Sequence, residues 1–427
     1  MMNCIRWINA AGLAGVLGSA LPAFAGAGAG LEGFYIGTYT GTSKGIYQAT
    51  LDPGAGSFGP TNLAVTATDP SFLAFHPNHK YVYAVSESGG TVAAYSIDPV
   101  TKKLTFLNQL SSNGGAPCHL AVDNAGKSVF VSNYNGGSLT VLSIGSDGRL
   151  GAQTAHDQHT GTGPLVHCAA LDASNQFVLV CDKGLDRVYS YRFNAAQGTL
   201  ATNNPPWTTV AAGSGPRHIA FDPSFHRAYV ICELSSTVIG FNYDSTNGTL
   251  SQFQTISTLP SGWSGQNTGA EIAVHPSGKY VYGSNRGHNS IVVYSVDPAT
   301  GTLTRLQHQP VGTTPRQFAI DPTGQWCLVA NQDSNNVLLY SIDPVTGLLT
   351  VKSTVLTLSK PVCILPFFIT PPQPAVGMSD NGDGTLQLNL QNAFSSLTTK
   401  FTGHRPCPPR RSGICWRREF GGRRTLS

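Results

Sequence analysis

Short apolar runs recur along this chain, each broken by a polar turn and followed by another apolar run. The clearest are PSFLAFHPNHKYVYAVSE at 70–87, PCHLAVDNAGKSVFVSN at 117–133, VHCAALDASNQFVLVCD at 166–182, PRHIAFDPSFHRAYVICE at 216–233, AEIAVHPSGKYVYGSNR at 270–286 and PRQFAIDPTGQWCLVAN at 315–331. Each reads as a strand, a turn rich in Pro, Gly and Asn, and a second strand. The turn opens on His76, Asp123, Asp172, Asp222, His275 and Asp321, at spacings of 46 to 53 residues. His76 and His275 stand in a slot that otherwise holds Asp, so they read as turn residues. A third run follows each hairpin, as in TVAAYSID and SIVVYSVD, and a fourth follows a glycine-containing turn, as in GTLTRLQH.

Four strands in a repeat of about 50 residues predict a β-propeller, whose blades must stack in a ring because none can bury both faces alone. Six units are complete. A seventh first strand, PVCILPF at 361–367, stands alone, and its partners lie at the other end of the chain as GFYIGTYT (33–40), GIYQATLD (45–52) and TNLAVTA (61–67). The prediction is therefore an all-β, seven-bladed β-propeller over residues 31–371, with the last blade closed by N-terminal strands.

In such a ring the first strand of each blade lines the central channel and the second returns to the same rim. Residues equidistant from the turn face each other. This rule sets Arg217 opposite Glu233, His167 opposite Asp182 and Arg316 opposite Asn331, with Glu271 and Arg286, and His119 and Asn133, at the same end. His218, Asn285 and His288 fall beside them. Thirteen polar residues are thus expected around one cavity. Singly, each has a structural reading: Arg217–Glu233 could brace a blade, and an Asn at a strand end often satisfies a turn. Several Arg, His and Glu in one funnel are costly to desolvate without a ligand.

Composition adds boundaries. Residues 1–25 read as a secretory signal, with Arg6, an apolar run and Ala23-x-Ala25. This predicts an exported, periplasmic or secreted protein with no membrane segment in its mature form. Residues 372–427 read as a basic, disordered tail. From 374 onward there are eight Lys or Arg against three acids, leaving eighteen against nineteen in the rest. A near-neutral body gives no case for nucleic-acid binding. Nine cysteines include no C-x-x-C, and no Cys/His cluster has zinc spacing, so no metal is expected. Cys168 and Cys181 lie symmetrically about the turn at 173–176, where oxidation after export would depend on geometry. A closed ring needs no partner, which predicts a monomer.

The motifs YIGTYT, NYNGGSL, GPRHIAF, CELSST, AEIAVHPSGKYVYGSNRGHNSI and PRQFAIDPTGQ together resemble the seven-bladed lactonase family, which includes cycloisomerase-type 6-phosphogluconolactonases and carboxy-muconate lactonising enzymes. The resemblance covers about residues 31–371. It implies a His, two Arg and a Glu on the channel rim, carried over to His167, Arg217, Arg286 and Glu233 as catalytic residues. The 6-phosphogluconolactonase branch carries H-x-H where this chain has Leu165-Val166-His167. The implied reaction is hydrolysis of a lactone ring without a cofactor, on a small phosphorylated or carboxylated sugar lactone. Glu233 or His167 would serve as base and Arg217 and Arg286 would steady the oxyanion. His119, Asn133, Asp182, His218, Glu271, Asn285, His288, Arg316 and Asn331 would bind substrate. Two alternatives stay open: a non-catalytic exported binding propeller, and a muconate-type lactonising cycloisomerase.

Overall fold

A computed structural model of the chain describes residues 32–368, together with the strands Ala375–Asp380, Leu386–Gln391 and Thr399–Lys400. Among the described residues every regular element is a strand. Six four-stranded antiparallel sheets follow one another at 73–111, 117–158, 166–209, 216–257, 268–310 and 315–357. These are blades one to six. The seventh places Pro361–Phe368 innermost against Glu32–Thr38, which pairs with Gly45–Asp52 and then Asn62–Thr66. The two ends of the ring are thus joined by one ladder, running from Glu32 opposite Phe368 to Thr38 opposite Pro361. Beyond the ring, in the stretch read as tail, Ala375–Asp380, Leu386–Gln391 and Thr399–Lys400 form a separate three-stranded sheet. The signal segment lies outside the described residues, as does the remainder of the tail.

The strands are rich in Val, Ile, Tyr and Phe, whose branched or planar side chains suit a pleated surface. The middle strands are buried on both faces. Phe177–Asp182 and Trp326–Asn331, for example, have no partly exposed residue. The core consists of seven clusters, each shared by two adjacent blades. One joins Leu179 and Cys181 of blade three to Val230 and Phe241 of blade four. Another joins Phe34 and Ile36 of blade seven to Leu328 and Leu339 of blade six.

Polar straps repeat around the ring as well. The Tyr83, Tyr229 and Tyr282 hydroxyls donate to the carbonyls of Gly148, Gly301 and Gly347, each in the next blade. Asn108, Gln254 and Gln307 on outer strands each donate to and accept from the backbone of Leu150, Leu303 and Leu349. Each reciprocal pair fixes the spacing of two blades with no unpaired amide left behind.

The turn residues explain their own slot. Asp172 accepts at Oδ1 from the amides of Gln176 and Phe177, both at 3.0 Å, and is 2% exposed. His76 and His275 instead place Nε2 2.9 and 2.8 Å from the carbonyls of Gly126 and Gly324 in the next blade. Cys168 faces Cys181 in register, and both are free thiols.

Replacing Asp172 with Ala leaves those two amides, that of Phe177 buried, without an acceptor. The expected loss is about 1–3 kcal/mol of unfolding free energy, read from denaturant titration. A midpoint equal to that of the unaltered protein would show that the turn does not depend on the carboxylate.

Candidate active site

The inner strand of blades two, three, four and six carries one extra residue near its start, relative to the strand beside it. The extra residues are Cys118, His167, Arg217 and Arg316. In blade five, Ala270 and Glu271 together stand opposite Ser284, and in blade seven Val362 is the unpaired one. A β-bulge bends the strand and re-aims its side chains. Here it turns the polar residues toward the axis, where blades that share no ladder meet. The ring of His218 lies 5.0 Å from that of His167 and 5.3 Å from that of His119, with Phe72 of blade one 4.2 Å from His119.

A second tier crowns the first. Each blade contributes the residue at or just past the end of its second strand, eleven positions past the turn residue in blades one to six: Glu87, Tyr134, Lys183, Glu233, Arg286 and Gln332. Tyr39 takes the same place in blade seven. Glu233 is the hub of this tier. Lys183 Nζ donates to its Oε1 at 2.7 Å, and Arg286 Nη2 lies 3.0 Å from its Oε2. Arg217 Nε is 3.1 Å from Oε2 but not aligned for a hydrogen bond, so that contact is Coulombic. Lys183 also donates to the Tyr134 hydroxyl at 2.7 Å. Four consecutive blades are thereby linked side chain to side chain. Across the channel, Tyr39 donates to Glu87 at 2.8 Å, and Arg316 lies over the Tyr39 ring with Nη2 3.8 Å from Glu87.

The environment drives the two central acids apart. Burial alone would raise the Glu233 carboxyl, but Arg217, Arg286 and Lys183 outweigh it and hold it down to about 2. Burial raises Glu271 to about 7, although Arg217 pulls the other way. His119, His167 and His218 are pushed well below the ordinary imidazole value, first by burial and then by their charged neighbours. They are neutral at neutral pH. Burial and Arg217 bring Arg286 down to about 10, which leaves it charged. Among the described residues no group of three His, Cys, Asp or Glu is arranged to hold a metal ion.

Of the thirteen expected residues, His119, His167, Arg217, His218, Glu233, Glu271, Arg286 and Arg316 come together here. Asn133, Asp182, Asn285 and Asn331 do not. All four are fully buried, with Asn133 and Asn285 held by Ser112 and Thr258 of the segments that connect from the preceding blade. Asp182 Oδ1 accepts from the amides of Leu165, Gly184 and Leu185. Asn133 lies under a loop so close that a Cβ on Gly114 would come within 2.3 Å of it. The cause is the bulge. An uninterrupted ladder would pair His167 with Asp182 and Arg316 with Asn331, whereas the extra residue moves those partners to Val166 and Pro315. The channel-facing slot is therefore one residue further on. His288 is likewise elsewhere, with Nδ1 on Ser290 and its ring against Trp263. Sequence reasoning missed Tyr39, Glu87, Tyr134 and Lys183. Sliding the repeats to the slot of Glu233 would have found them.

A groove of about 460 Å³ lies on the opposite face, lined by His76, Asn78, Lys127, Ser143 and neighbouring turns. It gathers no acid, arginine or cysteine and offers no comparable chemistry.

Residues 33–366 match the family described as lactonase, 7-bladed beta-propeller. The chain is 35% identical over 295 residues to a 6-phosphogluconolactonase of Bacillus subtilis, covering 66% of this chain and 83% of that one. Among solved structures, the periplasmic gluconolactonase of Pseudomonas aeruginosa is 29% identical with a TM-score of 0.76, covering 80% of this chain and all of that one. A Lactobacillus plantarum protein is 33% identical with a TM-score of 0.74, covering 79% and 100%.

Glu233, with its pKa depressed below the value of about 4.5 in an unfolded chain, contributes stability that is fully present above pH 4.5. That contribution, about 3 kcal/mol from the size of the shift, is lost as pH falls toward 2. Glu233→Gln should remove this component. The gap in unfolding free energy between the two proteins should then narrow between pH 4.5 and 2, whereas a constant gap would mean that the three cations do not act on the carboxylate.

Proposed function

The chain belongs to the seven-bladed β-propeller lactonase family and is a lactone hydrolase, and from that premise we propose that its substrate is an anionic sugar lactone, opened at the crowned end of the channel. The observation that carries this is the charge count there. Lys183, Arg217, Arg286 and Arg316 face two acids of the same tier, Glu87 and Glu233. Three of those cations are committed to Glu233. Arg316 is not. Among the described residues it makes no hydrogen bond, and the carboxylate nearest to it, at 3.8 Å, already accepts from Tyr39. A guanidinium held over a ring with its fork unfilled suits a carboxylate or phosphate taken bidentately.

Arg217 and Arg286 have a different part. Pinned by Glu233 and by the carbonyls of Ala270 and Gly269, they are fixed before substrate arrives. Positive charge held in place beside a lactone carbonyl stabilises the oxyanion as it forms and needs no reorganisation. Glu233 acts as their scaffold. Export, expected from residues 1–25, agrees with the name of the Pseudomonas aeruginosa relative and favours lactones met outside the cytoplasm, carboxylated ones among them. The protein acts as a monomer in this reading.

Proton release followed in a pH-stat tests the proposal, with the full chain and 6-phosphogluconolactone, a glucarolactone and uncharged glucono-δ-lactone as substrates. The charged lactones should show at least tenfold higher kcat/KM, and Arg316→Ala should cut that ratio several-fold. A ratio unchanged by Arg316→Ala would remove the anion from the assignment. Arg217→Ala should lower kcat/KM by more than tenfold, about 1.4 kcal/mol, with the ring still folded.

A further inference from the structure

Opening a lactone requires a group that takes a proton from water, and the inference drawn here rests on the lactone-hydrolysing reading of the channel. Glu233 is unsuited to that task, because three cations stabilise its ionised form and leave it a very weak base. Three histidines remain. His119 accepts from the amide of Ala169 at Nδ1, so its Nε2 carries the hydrogen and faces Cys168 Sγ, which leaves it no free lone pair. His167 has Nδ1 buried without a partner, and no hydrogen bond from a described residue holds its ring. A base that nothing orients is a poor one. His218 is different. Its Nδ1 lies 2.9 Å from Glu271 Oε1, and its Nε2 is buried with no partner at all.

The pair is built by two blades. His218 follows the bulged Arg217 of blade four, and Glu271 lies within the bulge of blade five. Glu271 is itself fixed: Oε1 accepts from the amide of Ile272 at 3.0 Å, and its own amide donates to Ser284 Oγ at 2.9 Å. The His218 ring is hemmed in by His119, His167 and Phe72. A carboxylate on Nδ1 makes that nitrogen the donor, so the lone pair stands on Nε2, the atom without a partner.

The geometry points to His218, oriented by Glu271, as the group that takes the proton from the attacking water. The water proton moves to His218 Nε2 while the water oxygen bonds to the lactone carbonyl carbon. The carbonyl oxygen becomes an oxyanion. When the tetrahedral centre collapses, the ring carbon–oxygen bond breaks and the departing ring oxygen takes the proton back from Nε2. The product is the hydroxy acid, and the pair returns to its starting state. His218 is the catalytic residue and Glu271 a positioning residue.

The charged and titratable groups facing the pair are His119 and His167 from blades two and three, the thiols of Cys168 and Cys363 from blades three and seven, Arg217 on its own strand, Glu233 at the end of the next strand, Arg286 from blade five and Arg316 from blade six. Burial and the arginines keep His218 neutral, and burial raises Glu271 to about 7. A proton added to the pair leaves a hydrogen on Nε2, whether the carboxyl then donates to Nδ1 or the imidazole carries both protons. That form cannot accept another. Activity should therefore rise as pH increases through about 7.

The test is the pH profile of kcat/KM for the full chain, corrected for spontaneous hydrolysis, in the unaltered protein and in Glu271→Gln, Glu271→Asp, His218→Gln and His167→Gln. Glu271→Gln should lose at least tenfold and shift the ionisation downward by more than one unit, because His218 then titrates without its carboxylate. Glu271→Asp should restore part of the rate and the original midpoint. His218→Gln should lose about 100-fold or more, while His167→Gln keeps the midpoint. The downfield Nδ1–H resonance of His218, followed in the unaltered protein, should titrate with the same midpoint, which guards against a variant that does not fold. Retention of more than a tenth of the activity in His218→Gln, an unmoved midpoint in Glu271→Gln, or a resonance that titrates elsewhere overturns the assignment while leaving the lactonase reading intact. A folded, unaltered protein that turns over no lactone overturns both.

Discussion

No blade of this ring can exist alone, because its middle strands are apolar on both faces. Each of the seven hydrophobic clusters is shared by two neighbours, so every blade is half of two cores. Burying apolar area is the dominant favourable term in folding, and here it can be realised in full only when the ring closes. The ladder between Pro361–Phe368 and Glu32–Thr38 supplies that closure from opposite ends of the chain. The same requirement confines polar chemistry. With both faces of each sheet committed to packing, the channel ends of the strands are where seven blades can bring charged groups to one place.

The fold was legible because the constraint acts on every repeat. Apolar runs, turn residues and third strands recur six times over, and the missing strands of the seventh blade were found by subtraction. The site was legible in part. Arg217, Glu233, Arg286 and the channel histidines interrupt apolar strands, and an unexpected polar residue is visible in a sequence. What was not visible is the bulge. It leaves no mark in composition, yet it shifts register by one residue and separates His167 from Asp182 and Arg316 from Asn331. Lys183 and Tyr134 were passed over for a related reason. Each directly follows a buried polar residue, Asp182 or Asn133, that looked more like a ligand than its neighbour did.

Glu233 and Glu271 show how far environment outweighs residue type. Both are glutamates near the same arginines, on adjacent blades. One is surrounded by cations and remains an anion under any physiological condition; the other is buried with an imidazole as its nearest polar group and holds a proton near neutrality. The sequence left Glu233 or His167 as the base, and the three cations around Glu233 favour reading it as a brace. Position in a motif names the residue, and the charges counted around each carboxylate set its protonation state.

The upper tier has a further consequence, for how such a molecule changes over generations. Its residues, from Tyr39 and Glu87 round to Gln332, stand just past the end of a strand, except Arg286, which is the last of its own, and all lie outside the shared cores. Substituting one leaves the shared cores untouched, although at Glu233 it also removes the contacts to Lys183 and Arg286. Seven such positions, one per blade, can vary without disturbing the cores, in groups set by their contacts: Tyr134, Lys183, Glu233 and Arg286 together, and Tyr39 with Glu87. Related propellers can then diverge in the molecules they accept while their backbones remain superimposable.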